Sequence, residues 1–439
     1  VHHEWNPGSH TLFLGGRLED TLDLQDPAPK LLFLRPLVIQ TTPPPLPNFK
    51  SRYRRSFEAY STELQQLWQS PSQTLILGGR YQAGTVDAFS ELARATTVFH
   101  LPDGSTRPNS FAQDLSAPLE RLDFYAYHQW QILEALRLST GLGYDRLRFP
   151  RNLDVPPLTG GEEEKDQISP KAGLLYAPGK NTTFRALYTQ SLGGLFYDNS
   201  IRLEPTQVAG FNQAFRSILP ESAVGLLPGA EFETWSAGVD HAFQSRTYAG
   251  VEAELLSSEG QRTLGVMTNF AGGLPLADTP SSTRQSLDFE EKSIVFTLNQ
   301  LLGKEWSLGA RYRLSEARLT GRFIDVPPGV IGLSSFNQDN TATLQQLNLF
   351  LIYNHPGGFF SQVQSHWTAQ SNQGYNPGLP GDSFWQHHFF VGYRFPRRLA
   401  EIRLGLLNLT GRYYLLNPLN LHAELPRERT LTASLKLNF

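Results

Sequence analysis

From Thr430 to Phe439 every second residue is apolar: Leu431, Ala433, Leu435, Leu437 and Phe439 alternate with Thr430, Thr432, Ser434, Lys436 and Asn438. Successive side chains of a β-strand point to opposite faces, so a segment of this kind has one apolar face and one polar face. Its length narrows the choice further. Strands of soluble sheets usually run about 5–6 residues, whereas a tilted strand needs about 9–11 to cross a bilayer. A strand in a soluble sandwich would show the same alternation over a shorter stretch, so this segment is expected to cross a membrane.

The pattern recurs along the chain. Trp306, Leu308, Ala310, Tyr312 and Leu314 alternate with Ser307, Gly309, Arg311 and Arg313; Phe184, Ala186 and Tyr188 alternate with Thr183, Arg185, Leu187 and Thr189. Leu347, Leu349, Leu351 and Tyr353 make a third series, and Phe389, Val391, Tyr393 and Phe395 a fourth. Aromatics make up 12% of the chain while its mean hydropathy is −0.32. Strands with one lipid face and one wet face give that combination, and no apolar run is long enough for a transmembrane helix.

Connections alternate in length. Short turns fall at Asn6-Pro7-Gly8-Ser9, Ser70-Pro71-Ser72-Gln73, Pro178-Gly179-Lys180-Asn181, Gly303-Lys304-Glu305, Pro356-Gly357-Gly358 and Arg397-Arg398, with weaker ones near Glu134 and Arg246. Between them lie long polar segments: Gln25 to Arg55, Asp87 to Glu120, Gly194 to Gly229, Gly260 to Phe289 and Val326 to Asn340. That sidedness belongs to outer-membrane barrels, with short turns facing the periplasm and long loops facing outward. The expected fold is therefore an all-β, antiparallel transmembrane barrel occupying residues 1–439 as one domain. It should show about sixteen strands from His10 onward, plus the tail of another ending at Trp5. Bacterial single-chain barrels have even strand numbers, so this count leads us to expect further strands upstream of Val1.

Most catalytic and metal chemistries are poorly supported. The chain has no cysteine, which removes thiolate nucleophiles, disulfides and sulfur ligands, and its formal net charge of −3 offers no basic excess for nucleic acid. His387 and His388 are neighbours and so face opposite sides of a strand, which argues against a shared metal ion. Glu162, Glu163, Glu164 and Asp166 read as a solvated loop cluster without calcium-ligand spacing. No Gly-x-Ser-x-Gly elbow is present, so neither an enzyme nor a cofactor is expected. Arg137, Arg185, Arg311, Arg313, Arg394 and Arg403 fall on expected lumenal positions. They could create a field for anionic solutes, or pair with Asp123, Asp145, Glu252 and Glu401. The octapeptides His10–Arg17 and Gln73–Arg80 resemble one another, as two hairpin strands after short turns would.

Several segments carry a more specific resemblance. Ile168-Ser-Pro-Lys-Ala-Gly-Leu-Leu-Tyr176, the turn Pro178–Asn181 and Thr183-Phe-Arg-Ala-Leu-Tyr-Thr-Gln-Ser191 resemble the mid-barrel hairpin of TonB-dependent receptors, as does the following Leu203-Glu204-Pro205-Thr206. Near the end, Gly405-Leu-Leu-Asn-Leu-Thr410 with Tyr413 or Tyr414, and Pro426-Arg-Glu-Arg-Thr-Leu431, are similar to the family's last hairpin, with Glu428 where glycine is common. The resemblance implies uptake of a scarce ligand through a barrel closed by an N-terminal plug, powered by a TonB-type energy transducer. Neither the plug nor the transducer-contacting motif is among these residues. A porin, or an export or scaffold barrel joined to a periplasmic helical-repeat domain, is the alternative. A plug upstream would favour import, and helical repeats would favour export or scaffolding.

Either reading implies contact with the lipid bilayer and lipopolysaccharide. The terminal Phe439, on an amphipathic strand, resembles the signal read by the barrel assembly machinery. Ligand contact is expected in the long loops, with Tyr197, Phe211 and Phe215 as candidate stacking residues.

Overall fold

A computed structural model describes residues 1–36, 49–94, 110–194, 202–213, 227–268, 279–326, 330–331, 337–375, 378–416, 419 and 425–438. Seventeen strands form one antiparallel meander in which each pairs with the next. They are β1 His2–Asn6, β2 Ser9–Asp26, β3 Phe49–Gln69, β4 Gln73–Arg94, β5 Ser110–Leu133 and β6 Leu136–Asn152. Next come β7 Thr159–Tyr176, β8 Thr182–Leu192, β9 Glu231–Ala242, β10 Thr247–Thr268, β11 Thr279–Leu302 and β12 Trp306–Phe323. The last five are β13 Gln338–Asn354, β14 Phe359–Gln373, β15 Ser383–Arg394, β16 Ala400–Leu407 and β17 Thr430–Leu437. Sixteen of them follow His10 and one precedes it, in agreement with the count from sequence. Among the described residues, β1 and β17 do not pair with each other.

The sheet curls, because distant strands meet across its concave side. Thr263 of β10 donates a hydrogen bond to Glu163 of β7 at 3.3 Å, and Tyr53 of β3 donates to the Leu153 carbonyl beyond β6 at 2.7 Å. The convex side is apolar and belted by aromatics. Trp68, Trp130, Tyr176, Phe184, Trp306, Tyr393 and Phe395 stand exposed beside the short turns. About eight residues further up the strands a second row appears: Tyr60, Tyr81, Phe124, Tyr144, Trp235 and Trp385. Exposed leucines such as Leu77, Leu142 and Leu351 lie between the rows. Two aromatic girdles around an apolar band are the signature of a barrel wall in lipid. Ala433 and Leu435 pair with Leu404 and Ile402 of the preceding strand and so share the convex face with them, as the alternation in the last strand requires.

Many strands are far longer than a bilayer needs: β5 and β11 have 24 residues and β4 has 22. The wall therefore rises well above the outer girdle. This corrects the reading of several long polar segments as loops. Most of Asp87–Glu120 and Gly260–Phe289 is strand, polar because it stands in water beyond the membrane rather than because it is irregular. The same correction applies to Glu162, Glu163 and Glu164. They lie on β7 and are ion-paired, Glu162 and Glu164 with Arg148 and Arg146 of β6 and Glu163 with Arg151 just beyond in the same strand.

The concave face is divided by depth. Near the outer end it is apolar, with Phe57, Val86, Leu119, Leu147, Phe149 and Leu158 forming one cluster and Phe232, Leu287, Phe289 and Leu319 another. Further down it turns polar, with Glu63, Gln65, Arg80, Gln82, Arg121, Asp123 and Lys171 all buried. Loops bridge the outer mouth. Leu32–Leu34 pairs in parallel with Val266–Thr268 of β10, and Arg35–Pro36 pairs with Val330–Ile331. The free edge of β10 makes this possible, since β9 stops pairing at Glu259.

Candidate functional site

The connection between β8 and β9 does not stay outside. One stretch of it, Arg202–Gln213, lies within the wall and ends in a small hairpin that pairs Gln207–Val208 with Phe211–Asn212. Ala209 and Gly210 form the two-residue turn, both at positive φ (51° and 83°), as a hairpin twisted with its strands requires. The tip reaches Arg185, which stands three residues from the start of β8 at the short-turn end. Arg185 donates to the Gly210 carbonyl at 3.3 Å, and its guanidinium lies 4.6 Å from the centre of the Phe211 ring.

Docking of this segment combines polar contacts around Leu203–Pro205 with apolar packing at the hairpin. Glu63 accepts the backbone N–H of Leu203 through Oε2 at 2.8 Å and that of Glu204 through Oε1 at 3.0 Å. It also accepts the Tyr125 hydroxyl at 2.8 Å. Gln65 donates to the Leu203 carbonyl at 2.8 Å. The Glu204 carboxylate receives the Tyr127 hydroxyl at 2.6 Å, Lys171 Nζ at 3.2 Å and Arg202 at 2.7 Å. Gln213 donates to the Pro205 carbonyl at 2.6 Å and bonds to Tyr127. A buried carboxylate is tolerated when it is paired and hydrogen-bonded on this scale. Apolar packing completes the seat: Val208 and Phe211 cluster with Ile76, Tyr125, Tyr127 and Leu187, and a Cβ on Gly173 would lie 2.6 Å from Val208 Cγ1 and 2.8 Å from Ala209 Cβ, so only glycine leaves room there.

The mid-barrel segments that carried part of the family resemblance thus converge. Ile168–Tyr176 supplies Lys171 and Gly173, Thr183–Ser191 supplies Arg185, and Leu203–Thr206 is what they hold. Sequence reasoning treated Gly194–Gly229 as one outer loop and missed that part of it turns inward. The available signal was Gln207-Val-Ala-Gly-Phe-Asn212, two short extended pairs around a turn dipeptide. Phe211 is corrected accordingly. At 2% exposed inside the wall it is a seat for Arg185 and no surface stacking residue. Tyr197, Phe215 and Phe439 lie outside the described residues.

The arginines sit on the lumenal face as their alternation requires, and among the described residues three of the six are ion-paired. Arg185 contacts Asp240 at 3.0 Å and Glu252 at 3.5 Å; Arg313 contacts Glu291 at 3.2 Å; Arg394 contacts Glu401 at 2.8 Å. Arg403 lies 3.9 Å from the Phe390 ring centre, Arg137 donates to Gln131 at 3.0 Å, and Arg311 is exposed. Asp123 and Asp145 pair with Arg121, each at 2.6 Å. His387 and His388 do face opposite sides: His387 bonds to Ser365, while His388 accepts the N–H of Asn408. Among the described residues no group of three metal-ligating side chains assembles.

Burial opposes charge on Glu204, but Lys171 and Arg202 beside it prevail and hold its carboxyl below the usual range. A depressed carboxyl stabilises the docked state above its ordinary value, and that stability is lost as pH falls through the docked value. Acidification is therefore expected to release the segment. Pepsin cleavage within Leu203–Phe211, followed against pH in the folded barrel and normalised to a free peptide of the same sequence, checks this, and normalised cleavage that does not rise in acid counts against it.

A rolled antiparallel meander with girdled lipid face, short turns on one side and a chain segment docked in its lumen defines an integral outer-membrane β-barrel. Residues 36–409 match the family model for the β-barrel of TonB-dependent receptor-like proteins, and the chain belongs to that family. No curated protein sequence matches it. Among solved structures it is similar to the ferric citrate transporter FecA in its unliganded form, at 12% identity and TM-score 0.57, covering 98% of this chain and 59% of that one. It is also similar to the copper transporter OprC, at 13% identity and TM-score 0.55, covering 98% and 62%. The siderophore receptor PiuA from Acinetobacter baumannii is a third, at 12% identity and TM-score 0.55, covering 99% and 61%. Identities this low establish the fold. The chain spans about three fifths of the length of these proteins.

Proposed function

We propose that this chain is the wall of an importer that takes up a scarce ligand from outside the cell, energised through a TonB-type partner in the inner membrane. The observation that supports this is the polar docking of Arg202–Gln213 inside the lumen. A passive pore needs an open water path, whereas a segment held by hydrogen bonds and ion pairs can be released when a ligand or partner supplies competing contacts. The polar contacts at Leu203 and Glu204 suit release, because the groups they expose are readily hydrated. The similar structures include a ferric citrate transporter, a copper transporter and a siderophore receptor, so metal chelates are the ligands to try first.

The test is whole-cell uptake of radiolabelled ferric chelates by cells making the full-length protein, with and without a protonophore. Energised import is expected to stop when the proton gradient collapses. Uptake insensitive to the protonophore would indicate a passive pore, and the absence of uptake would favour the export or scaffold role.

A further inference from the structure

At the outer end of the wall, well above the docked segment, a cavity of about 520 Å³ opens between β2, β3, β6 and β10 and the connection 153–158. Small-molecule sites commonly occupy about 300–1,000 Å³. Its apolar surface comes from Leu22, Tyr53, Phe149, Pro156 and Leu264. The connection that forms one side is fixed in place: Asn152 donates to the carbonyls of Val155 at 2.9 Å and Pro157 at 3.1 Å, and accepts the Val155 N–H at 3.0 Å. A ligand would therefore find the site already shaped, with little ordering cost.

The charges in the cavity are not equivalent. Arg55 is engaged by Asp154 at 2.6 Å and Asp20 at 3.5 Å, and Arg151 by Glu163 at 3.7 Å. Asp26 accepts the Ala28 N–H at 2.8 Å and so closes its own turn. Arg262 differs. Its Nε donates to Gln285 at 2.9 Å, and among the described residues no carboxylate pairs with it. A guanidinium held by its Nε leaves its two Nη groups side by side, the geometry that takes both oxygens of a carboxylate.

We propose that this cavity binds an amphipathic carboxylate, with the carboxylate on the Nη groups of Arg262 and an aromatic body against Tyr53, Phe149 and Leu264. The inference deepens the uptake reading by naming a ligand class and depends on it only for the physiological role of the site. The probes are 6-fluoro-2-naphthoate and its uncharged amide, titrated by 19F NMR into the full-length protein in nanodiscs. Saturable binding of the naphthoate is expected, weakened about tenfold or more by Arg262→Gln and less by Arg262→Lys. Lys304→Gln, at a periplasmic turn, should leave it unchanged, and the amide should bind weakly. Heat-modifiable gel mobility confirms that each variant is folded. No saturable binding, equal binding of the amide, or wild-type binding by folded Arg262→Gln overturns the proposal. Protonophore-sensitive chelate uptake without naphthoate binding would sink this site and leave the import reading intact; naphthoate binding without energised uptake would do the reverse.

Discussion

Glu63→Ala is expected to release the Arg202–Gln213 segment while leaving the barrel folded. One buried carboxylate serves three donors, the N–H groups of Leu203 and Glu204 and the Tyr125 hydroxyl, at 2.8 to 3.0 Å. Removing it strands two backbone donors against the wall, and each unsatisfied buried group costs about 1–3 kcal/mol. A combined loss of about 3 kcal/mol shifts the docked-to-released ratio by about a hundredfold. The chain has no cysteine, so Val208→Cys would carry the only thiol of its sequence. Val208 is 5% exposed when docked, so maleimide labelling of that thiol reports release directly. Labelling should accelerate by about the same factor in the Glu63→Ala background. An unchanged rate in a heat-modifiable barrel would show that Glu63 does not hold the segment.

Gly173→Val should act on the same equilibrium by shape alone. Gly173 is on β7, where a β-branched residue suits the strand and the wall loses nothing. Inside, however, even its Cβ would lie within 2.8 Å of both Val208 and Ala209. The hairpin tip must withdraw, so ion conductance of the full-length protein in planar bilayers should rise several-fold, with Gly173→Ala intermediate. Gly143→Ala is the control. It adds the same methyl to the lumenal face of β6, where the nearest atom, Ser169 Cβ, is at an ordinary 3.5 Å. Equal conductance in Gly143→Ala and Gly173→Val would mean that Val208 and Ala209 do not seal the passage.

The sequence by itself determined the wall. Period-two alternation assigned one face of each strand to lipid. The short turns fixed where strands reverse, because both are local consequences of a chain that must satisfy its backbone in a bilayer. Arg185 and Arg313 were placed on the lumenal face by parity alone. What alternation cannot show is where a strand leaves the membrane, since a strand in water keeps the same period; that is why Asp87–Glu120 and the Glu162–Glu164 run read as loop. Tertiary structure alone decided what occupies the lumen. Leu203, Glu204 and Phe211 carry no local sign of turning inward. They do so because Glu63, Tyr127, Lys171 and Arg185 supply their partners, and Glu63 is 140 positions before Leu203 in the chain. Pairing between such distant residues depends on how the wall curls, and no window of sequence contains that curvature.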